Sequence, residues 1–240
     1  LKRSGSNETI ASFPMVSLAW LRRLRGDLDE AVQLWEEATA SNPLVEQTGV
    51  TFWRADLLLD LGEVDAAEKL ALESLERASD LGFDNYRSGA RYVLARIAAA
   101  QGDWAKATTL ALAASAGAGA AGAPEIEGYA HRLLTEISLH EAPIDPTALR
   151  TFMPYARALG GALGVVILAE QRAALVLDSD PNLARTVLHS AAAIRSAEGL
   201  PLAGPEARWL EERMAATQGQ TGEVPAWPVE RLSEFAFSEL

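Results

Sequence analysis

The sequence predicts an all-α protein, a helical solenoid of about five antiparallel hairpins closed by C-terminal capping helices. Three observations carry that expectation. Small residues recur three times with the same spacing, each copy holds a glycine–acid–apolar junction at the same place, and no apolar run is long enough to span a bilayer.

The first copy contains Ala19, Gly26, Ala31 and Ala38; the second Ala55, Gly62, Ala67 and Ser74; the third Ala95, Gly102, Ala107 and Ala114. In every copy the gaps are seven, five and seven residues. Each glycine precedes an acid (Asp27, Glu63, Asp103) and then an apolar residue (Leu28, Val64, Trp104). This is the pattern of a helical hairpin. Small residues let two helix backbones approach closely, glycine ends the first helix in the left-handed conformation, and the acid caps the second. Asn42-Pro43 stops the second helix of the first copy.

Two further copies are degenerate. Ala148 and Tyr155, then Ala184 and Ala191, keep the seven-residue gap, while Pro143 and Ser179 replace the glycine. Asp145-Pro146 and Asp180-Pro181 supply the helix starts, Asp as cap and Pro at the first helical position. The equivalent alanines 31, 67, 107, 148 and 184 are separated by steps of 36, 40, 41 and 36. Against a usual helical-hairpin period of about 34, these steps imply longer helices, each about 16 residues and about 24 Å.

The helices expected are 9–25, 27–41, 45–61, 63–81, 84–101, 103–116, 124–140, 146–159, 162–178, 181–198, 204–218 and 228–238. Residues 1–8 are expected as a disordered tail or the tail of a preceding element, 9–198 as the repeats and 199–240 as the cap. Gly117, Gly119 and Gly122 should fray the sixth helix into a flexible connection over 113–123. Gly219 to Pro228 reads as loop.

With 240 residues the chain can bury a substantial core, and with no cysteine it relies on packing alone. The opening LKRSGSNET lacks the apolar stretch of a signal peptide, so residence in the cytoplasm is expected, and the missing initiator methionine suggests a piece of a longer chain. A net charge of −12 repels phosphate and argues against direct contact with nucleic acid. Of the 21 basic residues only Lys2, Lys69 and Lys106 are lysines, and none follows a glycine as a phosphate-binding loop requires. His131, His140 and His189 fall in no metal-ligand spacing. No serine sits in a nucleophile elbow. Glu36-Glu37 and Glu211-Glu212 are adjacent and diverge on a helix, and Asp178 with Asp180 suits capping. No catalytic residue, metal or cofactor is expected.

The stretches LAWLRRLRGDLDEAVQLWEEA, RADLLLDLGEVDAAEKLALES and LARIAAAQGDWAKATTLALAA resemble the tetratricopeptide superfamily, over about residues 13–198. The long helices are similar to the MalT-like sensor regions that lie C-terminal to the ATPase module in bacterial regulators of the STAND and LuxR type. The ending GLPLAGPEARWLEERMAA followed by WPVERLSEFAFSEL is similar to those regulators too. The resemblance implies a right-handed superhelix in which the first helix of each hairpin lines a concave surface. Trp20, Arg23, Phe52, Asp56, Tyr92 and Arg96 are the side chains expected to face it. A plainer expectation has Phe52 and Tyr92 packed between hairpins and the charges solvated. The function expected is a regulatory module that binds a protein, a peptide or neighbouring domains of its own parent chain, with self-association through apolar terminal faces. The alternative is a sensor of a small, sugar-like effector.

Overall fold

The computed structural model describes residues 5–47, 50–138, 147–159, 161–200, 202, 204–217 and 224–238. Among them the regular elements are all helical: α1 (Gly5–Leu24), α2 (Leu28–Ser41), α3 (Phe52–Asp60), α4 (Val64–Leu81), α5 (Asp84–Ala100) and α6 (Trp104–Ala121), then α7 (Pro124–Ser138), α8 (Thr147–Leu159), α9 (Gly161–Val176), α10 (Pro181–Glu198), α11 (Gly204–Ala216) and α12 (Val229–Phe237). The chain divides into two compact units, one of Leu1–Glu127 with Leu202–Pro205 and one of Gly128–Pro201 with Glu206–Leu240. The first unit ends within α7, and α12 lies with α9 and α10 in the second. α1 already begins at Gly5, inside the stretch expected as a tail.

In the first unit the hairpins are α1–α2, α3–α4 and α5–α6, with α3 packed on α2 and α5 on both α3 and α4. Gly26, Gly62 and Gly102 take φ of 75°, 86° and 79°, the left-handed geometry expected of the junctions. Every small residue on the second helices, Ala31, Ala38, Ala67, Ser74, Ala107 and Ala114, is fully buried. The acids behave less uniformly. Asp103 accepts from the Lys106 N–H at 3.0 Å, whereas Asp27 and Glu63 hold the same position without a side-chain cap bond.

Two expectations are corrected here. The third helix begins at Phe52 instead of 45, because Pro43–Gln47 forms a 3-10 turn. That turn buries Val45 beside Val16, Trp35, Ala38 and Val50, which removes its apolar side chain from water. The sixth helix does not fray at its glycines but runs unbroken to Ala121, capped by left-handed Gly122. Gly117 sits there for closeness: a Cβ would lie 2.5 Å from Ser88 Oγ of α5. Packing against α5 outweighs the low helix propensity of glycine.

In the second unit α9 is the central helix, flanked by α8, α10 and α12 and buried from Gly164 to Ala174. α10 starts as its sequence predicts, with Asp180 accepting from the Leu183 N–H at 2.9 Å and Pro181 in the first turn. In α8 the buried position expected of Tyr155 is taken by Ala156. Tyr155 is half-buried and stacks on His131 at 5.4 Å, while Leu149, Phe152 and Ala156 face the core. The backbone reason is the approach of α9, where a Cβ on Gly164 would strike the Ala156 carbonyl. The predicted start at Asp145-Pro146, with Pro143 and His140, lies outside the described residues, as do Gly219–Gly222 of the terminal loop.

Candidate interaction site

The repeat steps place Trp20, Asp56 and Arg96 at one position of successive first helices, and Val16, Phe52 and Tyr92 one turn earlier. Because α1, α3 and α5 are neighbours, side chains at these positions meet across helices. Arg23 of α1 pairs through Nη1 with Asp56 Oδ2 at 2.9 Å and through Nε with Asp60 Oδ2 at 2.7 Å. From the other side, Arg96 of α5 pairs through Nη2 with Asp60 Oδ1 at 2.9 Å and through Nη1 with Asp56 Oδ1. All four carboxylate oxygens of α3 are thereby engaged.

The network is buried, with side-chain exposures between 3% and 7% for its four members. Burial by itself acts against the charge on Arg23 and is the largest single influence on it. The facing Asp56 and Asp60 carboxylates outweigh that influence, against opposition from Arg96, and hold the Arg23 guanidinium above its ordinary pKa. Two positive and two negative charges cancel locally, so the cluster acts as an ionic clasp across three hairpins. Such a clasp gains little over an apolar core of similar volume, but breaking it leaves a stranded charge. Its effect is to fix the register of α1, α3 and α5. The plainer expectation of solvated charges is therefore corrected: the charges are inside, paired across helices.

Beside the clasp runs a chain of aromatic rings. Trp20 stacks on Trp53 at 5.8 Å with planes 24° apart, Trp53 meets the Phe52 edge at 5.5 Å, and Phe52 approaches Tyr86 at 6.3 Å. Tyr86 meets Phe83 edge-on at 5.6 Å. Phe52 is fully inside, its ring resting on Gly89, where a Cβ would lie 2.4 Å from the ring. Tyr92 is buried beside the clasp. Trp20, Trp53 and Tyr86 are half-exposed and Phe83 is exposed at 41%. Partial burial pushes the Tyr86 hydroxyl pKa up.

Of the six residues expected to line a surface, the structure brings Arg23, Asp56 and Arg96 into one cluster with Tyr92 alongside, and places Trp20 and Phe52 in the aromatic chain. Sequence reasoning missed Asp60, Trp53 and Tyr86. The signal for Asp60 was present: it follows Asp56 by four residues, the spacing that puts two carboxylates on one helix face. For Trp53 no periodic signal exists, since the stacking on Trp20 depends on how α3 enters after the 3-10 turn.

Elsewhere, among the described residues, no group of three or more His, Asp or Glu is placed to hold a metal ion, and no helix is long and apolar enough to cross a membrane. The tetratricopeptide repeat family model matches residues 14–37, 49–73 and 88–113, which fall on the three regular hairpins of the first unit. No curated protein and no solved structure matched the chain.

Proposed function

We propose, from a first unit built of three tetratricopeptide repeats, that this chain is a non-catalytic module that holds a protein or peptide partner. The observation that carries the reading is the half-exposed aromatic edge Trp20–Trp53–Tyr86, set beside a clasp that fixes the helices presenting it. Rigid, partly exposed aromatics supply large contact area at small entropic cost, which is how interaction hot spots are built. The small-molecule alternative relied on Arg23, Asp56 and Arg96 as ligand contacts. Those charges already satisfy one another, and a ligand would have to displace them. The net charge of −12 supports a protein partner over nucleic acid.

The long-helix resemblance supports placing the module in the cytoplasm as the sensor or scaffold arm of a larger bacterial signalling or transcriptional regulator. A photo-crosslinking residue at position 20 or 53 tests the surface, with exposed Leu72 of α4 as the reference. Protein crosslinks concentrated at 20 and 53 support it. Equal yields at all three positions, or a sugar or nucleotide that raises the melting temperature by several degrees, would sink it.

A further inference from the structure

α12 is a short helix that closes its own ends only in part: at its C-terminus Ser238 donates through its N–H and Oγ to the Phe235 carbonyl alone. It has nine residues, its N-cap Pro228 offers no side-chain bond, and its C-cap Ser238 is extended, without the left-handed glycine that closes α4, α6 and α10. A helix this short is not held by its own hydrogen bonds in water. The remaining terminal carbonyls are met from another helix. Arg172, inside the wall of α9, donates through Nη1 to the Ser238 carbonyl at 2.6 Å and lies 3.5 Å from the Ala236 carbonyl. That puts a buried cation at the negative end of the helix dipole.

The same guanidinium lies over the Phe235 ring at 5.0 Å, and Arg157 of α8 lies over Phe237 at 5.0 Å. Leu232 and Ala236, four residues apart on one face, are fully buried. Before the helix, the Trp227 N–H donates to Ser190 Oγ of α10 at 2.9 Å. α8, α9 and α10 thus form a seat with an apolar floor, a cation for helix-terminal carbonyls and two arginines for aromatic faces. This is the chemistry by which a groove receives an amphipathic helix.

We propose that α12 is a resident ligand of this seat, exchangeable for an amphipathic partner helix of the same chemistry. Such a helix carries a Leu-x-x-x-Ala stripe, aromatics beside its last small residue, and C-terminal carbonyls open to Arg172. α12 itself is the template for the occupant. The surface is separate from the aromatic edge of the first unit, and the proposal stands without that reading.

The test uses the full chain. In Leu232→Glu/Ala236→Glu the two anchors are charged, so α12 leaves its seat while the seat residues are untouched. A fluorescent peptide of residues 224–240 should bind this variant saturably and one to one. The unaltered chain should bind the peptide roughly ten- to a hundredfold more weakly, as expected when the seat is open in about 1–10% of molecules. Adding Arg172→Ala should weaken peptide binding by about tenfold or more, consistent with loss of a charged hydrogen bond. A folded Leu232→Glu/Ala236→Glu chain that ignores the peptide overturns the proposal. So does a variant whose second unit unfolds, which makes α12 a structural cap. Independently of any variant, hydrogen exchange of the unaltered chain should show amides 232–236 opening at least a hundredfold faster than those of α9. Equal protection would also overturn it.

Discussion

Arg96 on α5 and Asp60 on α3 are 36 residues apart in sequence and 2.9 Å apart in space, closing an ionic clasp that Arg23 enters from α1. Each carboxylate of the clasp touches an arginine from the hairpin before and another from the hairpin after. Removing one member therefore affects three hairpins at once.

Asp60→Asn and Asp56→Ala should each destabilise the first unit by about 3–5 kcal/mol, because each leaves buried guanidinium charge uncompensated. Replacing all four members with apolar residues of similar volume should cost far less, or nothing. Urea denaturation of the singles and the quadruple decides this. A quadruple variant worse than the singles would mean that the clasp provides net stability and not only register.

The pH dependence follows from Arg23. Its folded pKa is raised, so its contribution is complete below the unfolded guanidinium value and is lost only as pH rises through the folded one. The stability difference between the unaltered chain and Arg23→Met should therefore stay flat from about pH 6 to about pH 10. Melting curves across that range check it, and a difference that shrinks below about pH 10 would contradict the assigned cause.

Two close-packed glycines should differ in whether a neighbouring change can relieve the clash that alanine introduces. Gly89→Ala drives a methyl into the Phe52 ring at 2.4 Å and should cost about 1–3 kcal/mol. Gly117→Ala clashes with Ser88 Oγ at 2.5 Å, with Ser88 Cβ at 3.7 Å and Arg91 Nη1 at 3.8 Å in ordinary contact. Combined with Ser88→Ala it should be neutral or stabilising by up to about 1 kcal/mol, the helix-propensity gain. A double-mutant cycle on 88 and 117 measures the coupling, and additivity would show that the contact is unimportant.

The acids at helix starts should also separate. Asp180→Ala removes a bond to the Leu183 N–H and should cost about 1 kcal/mol. Glu63→Ala removes no side-chain cap bond and should change stability by less than about 0.5 kcal/mol. Denaturant midpoints of the two variants provide the comparison, and equal losses would mean that helix-dipole charge matters more than the hydrogen bond.

The helical repeat was legible because its causes are local or periodic. Gly26, Gly62 and Gly102 are left-handed, and the buried alanines sit where a 36- or 40-residue step puts them. Asp180-Pro181 starts α10 from two residues of information. The resemblance, not the period, implies that Arg23, Asp56 and Arg96 line a surface, and all three are buried instead. Where the period weakened, the reading did too. Tyr155 was expected at a place that Ala156 takes, because the contact between α8 and α9 is set at Gly164.

What the sequence determined by itself is the class of fold, the hairpin junctions and the helix faces that look toward one another. Those follow from backbone preferences and spacing. Only the tertiary structure decided that the charges on those faces lie inside, matched oxygen by oxygen, and that Trp20 stacks on Trp53 while Phe52 rests on Gly89. Whether an arginine is solvated or clasped depends on what the neighbouring helix brings within about 3 Å of it. Periodicity states which helix that is, but the approach of the two backbones sets the distance.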